Sequence, residues 1–350
     1  MKKKVLIGVG IFFLLLLIVI SWYFIELRPI GSDNNIDFEI KSGTSTVSII
    51  KNLKDKKLIH SELAVKIYIF LSNKDSLQAG TYELNQNMSA QDIIDAIDNG
   101  NVKNNNITLT FKEGKRFVNY LKDISDAFGY NEQDLINELS NKDYLNTLIN
   151  KYWFLSNDIL DSKLYYPLEG YLYPDTYTFK PDATIDEIIT KMLDNMNNKL
   201  TPYKDAIASS NYSVHQILTL SSIIELEAKT LGDRKGVSGV LANRLKDSWT
   251  LGSDVTSYYG VKKEMTDNIT QDELNDCNSY NTRSSCVPSL PIGPICNPSI
   301  DAINAALNPT ESNYYFFVAD TNSKVYFSVT ASDQLDVIAT LKSQNMWYNY

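Results

Sequence analysis

The stretch "VLIGVGIFFLLLLIVISWYFIEL", Val5 to Leu27, constrains this chain more than any other feature, because few environments can hold so long an apolar segment. From Val5 to Ile25 it carries no charge, and Ser21 is its one small polar residue. That is about the length needed to cross ~30 Å of hydrocarbon. Trp22 and Tyr23 fall where an interfacial aromatic belt would sit, and Lys2, Lys3 and Lys4 precede the run. Basic flanks stay on the cytoplasmic side, which predicts a cytoplasmic N-terminus and puts everything after Arg28 outside the cytoplasm. A cleaved signal peptide is the alternative, but the apolar region is too long and no small-x-small cleavage site follows it. We read residues 1–27 as a cytoplasmic tip and transmembrane anchor, with the membrane as a partner through residues 5–27.

The rest of the 350 residues has room for two domains and a sizeable core. With 43% hydrophobic and 21% charged residues, wholesale disorder is excluded. A net charge of −9 argues against nucleic acid as a partner. Cys277, Cys286 and Cys296 allow three disulfide pairings, each leaving one thiol over, or no disulfide at all. His60 and His215 lie far apart, and no spacing resembles a metal site. No cofactor is implied, so hydrolytic chemistry here must run on carboxylates or hydroxyls.

After a short linker, residues 28–37, a strand-turn-helix pattern recurs. "FEIKSGTSTVSIIKNL" predicts a strand and then a helix carrying Val47, Ile49, Ile50 and Leu53 inward. "GTYELNQNMSAQDIIDAI" repeats it with Tyr82 and Leu84 in the strand, Ser89 as N-cap, and Ile93, Ile94 and Ile97 on the helix. A looser third copy runs from Ile107 through Ile124. Few and unequal copies suggest an α+β module, not a solenoid. "VKNNNI", Val102 to Ile107, reads as the boundary between a module at 38–103 and a larger α+β domain at 104–350. In that larger part Glu132–Leu139 and Ile185–Met196 read as helices, and "YYFFVAD", Tyr314 to Asp320, as a buried strand. "YYPLEGYLYPDTYTF" is barred from a long helix by Pro167, Gly170 and Pro174. Its aromatics suit either core packing or a platform for sugar rings.

"SSIIELEAKT", Ser221 to Thr230, sets Glu225 and Glu227 into an apolar helical run. Burying a carboxylate is costly unless it is paired, hydrogen-bonded or protonated. Residues two apart on a straight helix point roughly 200° from each other, so the two glutamates are expected on different sides. Downstream, Val237, Val240, Leu241 and Leu245 mark another helix, interrupted by Asn243 and Arg244, and a glycine-bounded loop holds Asp254, Thr256, Tyr258 and Tyr259.

The ordered set "LEGYLYPDTY", "SSIIELEA", "NRL", "LGSDVTSYYG", "YNT", "LPIGPICNPS" and "FVAD" resembles the endolytic murein transglycosylase family (MltG, or YceG-like) across almost the whole chain past Arg28. The anchor and a small module similar to LysM also match. The resemblance implies an enzyme of the bacterial cell membrane, single-pass, with its catalytic domain extracytoplasmic. Its substrate would be the MurNAc-GlcNAc bond of nascent glycan strands, which it would cut to terminate their polymerisation. Peptidoglycan synthases and elongation or division proteins are implied as partners. The family's catalytic acid/base position falls on Glu225. Asp254, Tyr280 and Asn281 are assigned by resemblance to positioning substrate groups, with Asn297 also in place and Glu169, in "LEGY", in a supporting role. Glu227 is expected to orient a neighbour or pair with a base such as Arg244. Departures are Leu226, Glu227 and Ala228 where the family has Lys-Glu-Thr, Gly252–Thr256 where it has Gln-Thr-Asp-Pro-Thr, and Ser289–Gly293 where it has Gly-Leu-Pro-Pro-Gly.

In such chemistry one glutamate suffices. It protonates the departing glycosidic oxygen, and as carboxylate it then takes the proton of the muramic acid C6 hydroxyl that closes a 1,6-anhydro ring. A hydrolytic muramidase recruiting Asp254 as water base, and a non-catalytic glycan-binding scaffold, are the alternatives.

Overall fold

In the computed structural model, which describes residues 2–74, 76–103 and 105–347, the N-terminal apolar run is one uninterrupted helix, α1 (Lys2–Glu26). Every residue from Leu6 to Ile20 is exposed, and Leu6–Glu26 is long and apolar enough to cross a membrane. The fold is mixed α+β, and the chain divides into two compact units, Met1–Asn105 and Asn106–Tyr350.

In the first unit α1 is followed by β1 (Asn35–Ile40), α2 (Thr46–Asp55), α3 (Glu62–Ser72), β2 (Gly80–Asn85) and α4 (Ala90–Asp98). The two strands pair antiparallel with Phe38 opposite Tyr82. Their alternation sends Phe38, Ile40, Tyr82 and Leu84 to a face covered by the helices. Ser45, Ser61 and Ser89 each accept a backbone N–H at a helix start, and Ser89 forms a reciprocal box with Asp92. Helix α3 was not part of the expected repeat, because "ELAVKIYIFLS" is too evenly apolar to display a helical period. Val47, expected to face inward, is exposed. Trp22 and Tyr23 pack against this unit's core and Leu27 is buried in it, so the belt aromatics are partly spent on protein contact. Within the expected linker, the N–H groups of Ile30 and Gly31 donate to the Gln86 carbonyl.

The second unit opens with β3 (Ile107–Thr110), then α5 (Phe117–Phe128), α6 (Glu132–Leu139) and α7 (Lys142–Lys151). A strand β4 (Thr176–Phe179) pairs antiparallel with β3, and α8 (Ile185–Leu200) and the short α9 (Lys204–Ser209) follow. Most of the aromatics of the tyrosine-rich segment are core residues here: Tyr171, Tyr173, Tyr177 and Phe179 are all buried. Gly170 turns the chain with φ +82°, where an added Cβ would lie 2.4 Å from the Pro294 ring. The remaining elements are α10 (Val214–Glu227), α11 (Leu231–Lys246), α12 (Asp254–Gly260), α13 (Gln271–Leu274), α14 (Ile300–Leu307), the antiparallel pair β5 (Phe316–Ala319) and β6 (Val325–Ser328), and α15 (Ala331–Ser343).

Helix α10 has little polar surface because it is shared by two apolar clusters. Ile217 and Leu218 join the first, with α5 to α8, while Leu220, Ile223 and Ile224 join the second, with α11, α12 and α14. Its buried hydroxyls are satisfied within the helix: Thr219, Ser221 and Ser222 donate to carbonyls three or four residues back. Ser222 also accepts from the Ile295 N–H at 3.0 Å, so the proline-rich segment packs directly on the helix. Two sequence expectations need correction. The Asp254 segment is a helix, α12, not a loop. The Tyr314–Asp320 segment is a strand only at Phe316–Ala319 and is half-buried, because it forms the wall of a cleft. Cys277 and Cys286 form a disulfide and Cys296 is a buried thiol.

Candidate active site

A cleft of about 960 Å³ opens in the second unit. Consecutive residues Glu225 to Lys229 line it, which a straight helix flank could not provide. They do so because α10 ends at Glu227 and Ala228 is extended, so the cleft runs across the helix terminus. Both glutamates therefore reach one cavity despite their opposed directions along the helix. The other walls come from the Glu113–Arg116 turn, Asp254, Val255 and Tyr259 of α12, Glu264 to Thr266, β5 and Trp347.

The two carboxylates have different surroundings. Glu225 is locked: Arg234 of α11 donates to one oxygen at 2.5 Å, and Ser299 donates its N–H at 2.9 Å and its hydroxyl at 2.5 Å to the other. Arg234 also donates to the Ala228 carbonyl and to Ser299 Oγ, both at 3.0 Å. The Glu225 side chain is 5% exposed and that of Arg234 10%, so this is a buried pair with its hydrogen-bonding capacity well used. Both Glu225 oxygens act as acceptors and are taken up by Arg234 and Ser299.

Among the described residues, Glu227 has one hydrogen-bond donor, the hydroxyl of Ser253. Burial pushes its pKa up from 4.5 to about 7, opposed by the Ser253 hydrogen bond, reinforced by the negative charge of Asp254, and opposed by Arg244. Its place on the last turn of α10 acts in the same upward direction, because unpaired carbonyls gather at a helix C-terminus. Asp254 itself is more than half exposed and pairs with Arg283 at 2.5 Å.

The other sequence-derived candidates stand outside the cleft lining and shape what does line it. Glu169 is fully buried behind Tyr259, accepting from the Phe117 N–H at 2.8 Å and the Tyr259 hydroxyl at 3.0 Å. Burial raises its pKa to about 8 against those hydrogen bonds. Arg116 lies 5.1 Å over the Tyr259 ring, so Tyr259 is held over its ring by Arg116 and at its hydroxyl by Glu169. Tyr280 is buried between Tyr165 and Tyr259, its hydroxyl accepting from the Tyr165 N–H. Asn281 is saturated by Ser257 and the carbonyls of Leu274 and Asp276. Asn297 accepts from the N–H groups of Gly170 and Leu172 and donates to the Lys115 carbonyl, tying the Glu113–Arg116 turn to the tyrosine-rich segment. Arg244 donates to the carbonyls of Tyr315 and Leu251 and acts on Glu227 only as a nearby positive charge, while Arg234 pairs with Glu225 and Arg116 with Glu264.

Sequence reasoning missed Arg234, Ser299, Ser253, Arg116 and Trp347. Only Ser299 gave a signal, as the N-cap of α14. His215 is a core residue: its Nε2 faces the Ile292 carbonyl and so donates, leaving Nδ1 to accept from Tyr171. Among the described residues, no group of three or more His, Cys, Asp or Glu side chains is arranged to hold a metal ion.

A model of the YceG-like family matches residues 38–340, and the chain belongs to that family. A Bacillus subtilis (strain 168) protein named endolytic murein transglycosylase is 32% identical over 311 residues, covering 88% of this chain and 85% of the relative. A protein of the same name from Streptococcus pneumoniae serotype 2 (strain D39) is 31% identical over 327 residues, covering 88% of this chain but 59% of that longer relative. The crystal structure of a YceG-like protein from Listeria monocytogenes aligns with TM-score 0.62 and 33% identity, over 87% of this chain and all of that one.

Proposed function

We propose that this chain is an endolytic murein transglycosylase that cuts the MurNAc-GlcNAc bond of nascent peptidoglycan strands with Glu227, not Glu225, as its acid/base. The relatives' name supports the activity. The observation that carries the assignment is the contrast between the two carboxyls: Glu227 is held by one hydroxyl with its pKa near 7, while Glu225 accepts from an arginine and a serine through both oxygens. A general acid works best with a pKa near the operating pH.

In this reading protonated Glu227 gives its proton to the glycosidic oxygen as the C1–O4 bond breaks and the sugar becomes oxocarbenium-like. The muramic acid C6 hydroxyl then attacks C1, and Glu227, now ionised, accepts its proton. The C1–O6 bond closes the 1,6-anhydro ring, and the glutamate returns to its starting state. No second carboxylate is required. Glu225, Arg234 and Ser299 act as a positioning group, pinning the end of α10 through the Ala228 carbonyl. Glu169, Tyr259 and Arg116 set the opposite wall, with Asn281, Tyr280 and Asn297 behind it as framework, and Arg244 braces the segment before β5 near Glu227.

Helix α1 fits a single-pass anchor, with the N-terminus cytoplasmic and the catalytic unit outside. The Cys277–Cys286 disulfide supports an oxidising compartment. The β1-α2-α3-β2 order supports a LysM-like, glycan-binding reading of the first unit. Synthases and elongation or division proteins would be its neighbours at the membrane.

Asp254 in the same cleft favours one second reading, a muramidase in which it activates water. Mass spectrometry of digested peptidoglycan separates the two: 1,6-anhydro ends support the transglycosylase, and reducing ends the hydrolase.

A further inference from the structure

Outside α1, Phe70 is the most exposed large apolar side chain among the described residues, at 82%, and its neighbour Leu71 is 69% exposed. Both lie on the last turn of α3. Leu63, seven residues before Phe70 and so on the same helical face, is also exposed. A water-facing surface gains nothing from such a stripe, which marks a contact with something apolar.

The position of α3 says what that is. Tyr68, within one turn of Phe70 and Leu71, comes close enough to Tyr23 of α1 for the two phenols to interact electrostatically. Trp22, Tyr23 and Tyr68 pack against the same apolar cluster. Tyr23 belongs to the membrane-crossing run Leu6–Glu26. The end of α3 therefore sits at the depth of the outer end of that run, not above it. The geometry points to a second membrane contact: the last turn of α3 inserts Phe70 and Leu71 into the headgroup and upper acyl region of the extracytoplasmic leaflet. The first unit thus lies on the lipid surface, held by a span and by an interfacial wedge, and does not swing on a stalk. This inference rests on α1 spanning the bilayer.

The test uses the full chain reconstituted in phosphatidylethanolamine–phosphatidylglycerol vesicles, with a nitroxide attached at Phe70→Cys. Leu14→Cys on α1 and Leu335→Cys, an exposed apolar position in the other unit, serve as references. Cys277 and Cys286 are bonded to each other and Cys296 is buried, so labelling is selective. We expect the ratio of oxygen to aqueous nickel-chelate accessibility at position 70 to exceed that at 335 several-fold and to approach that at 14. A ratio at 70 equal to that at 335 overturns the inference. So does shielding from both reagents, which would mean that protein covers the turn. Water-like accessibility at position 14 overturns the anchor reading and this inference together.

Discussion

Ser253 gives its hydroxyl to the Glu227 carboxylate instead of capping the helix that it begins. A serine at that position ordinarily stabilises a helix by about 1 kcal/mol through a bond to its first turn. Here α12 forgoes that bond, and the hydroxyl is directed at Glu227, whose pKa burial raises to about 7.

That relationship predicts how activity responds to pH. In the proposed mechanism cleavage requires protonated Glu227, so the rate should fall about tenfold per pH unit above about 7. The Ser253 hydrogen bond favours the ionised form, so Ser253→Ala should move this alkaline limb to higher pH. The charge of Asp254 disfavours the ionised form, so Asp254→Asn should move it to lower pH. Shifts of about half a unit to one unit, opposite in sign, are expected from rate–pH profiles on purified glycan strands.

The Glu225–Arg234 pair should behave as a structural element. Removing one partner leaves a buried charge without compensation, which typically costs about 3–5 kcal/mol. Glu225→Gln should therefore lower the thermal unfolding midpoint clearly, and Arg234→Met combined with Glu225→Gln should recover part of the loss. A Glu225→Gln protein as stable as wild type would contradict this role.

Stability should also depend on pH. Glu227 and Glu169 have folded pKa values near 7 and 8, above their ordinary value of 4.5. A raised carboxyl pKa means that the folded state binds the proton more tightly. The associated stability is fully present below about pH 4.5 and is lost as pH rises through the folded values. The unfolding midpoint of wild type should fall between pH 5 and pH 9, and Glu227→Gln should flatten that fall, gaining about 3 kcal/mol at the alkaline end.

Gly170→Ala should destabilise the second unit by about 1–3 kcal/mol, since φ is +82° and the new methyl would meet a rigid proline ring. Chemical denaturation measures this directly. A neutral effect would mean that the Pro294 segment yields easily.

Much of this fold could be read from the sequence where periodicity or composition left a mark. The membrane-length run, the Ser89 cap and the α6 and α8 helices follow from local patterns. Helix α3 did not, because its apolar residues are nearly continuous and conceal the period. The pairing of β3 with β4 joins residues about 70 apart, and nothing local encodes that distance. At the site, "SSIIELEAKT" revealed two carboxylates, and the sequence reading gave the proton to Glu225, where the proposal made from the structure gives it to Glu227. That distinction depends on Arg234, Ser299 and Ser253, which are brought in by three other segments. Helical spacing points the two carboxylates apart, but it could not show that α10 stops at Glu227 and that one cleft crosses its end.

The most direct test compares Glu227→Gln and Glu225→Gln proteins, each checked for folding, by mass spectrometry of the products from uncrosslinked glycan strands. The account predicts 1,6-anhydro-muramic ends from wild type, their loss with Glu227→Gln in a protein that still folds, and residual cleavage by folded Glu225→Gln. Anhydro products from Glu227→Gln at the wild-type rate would contradict it.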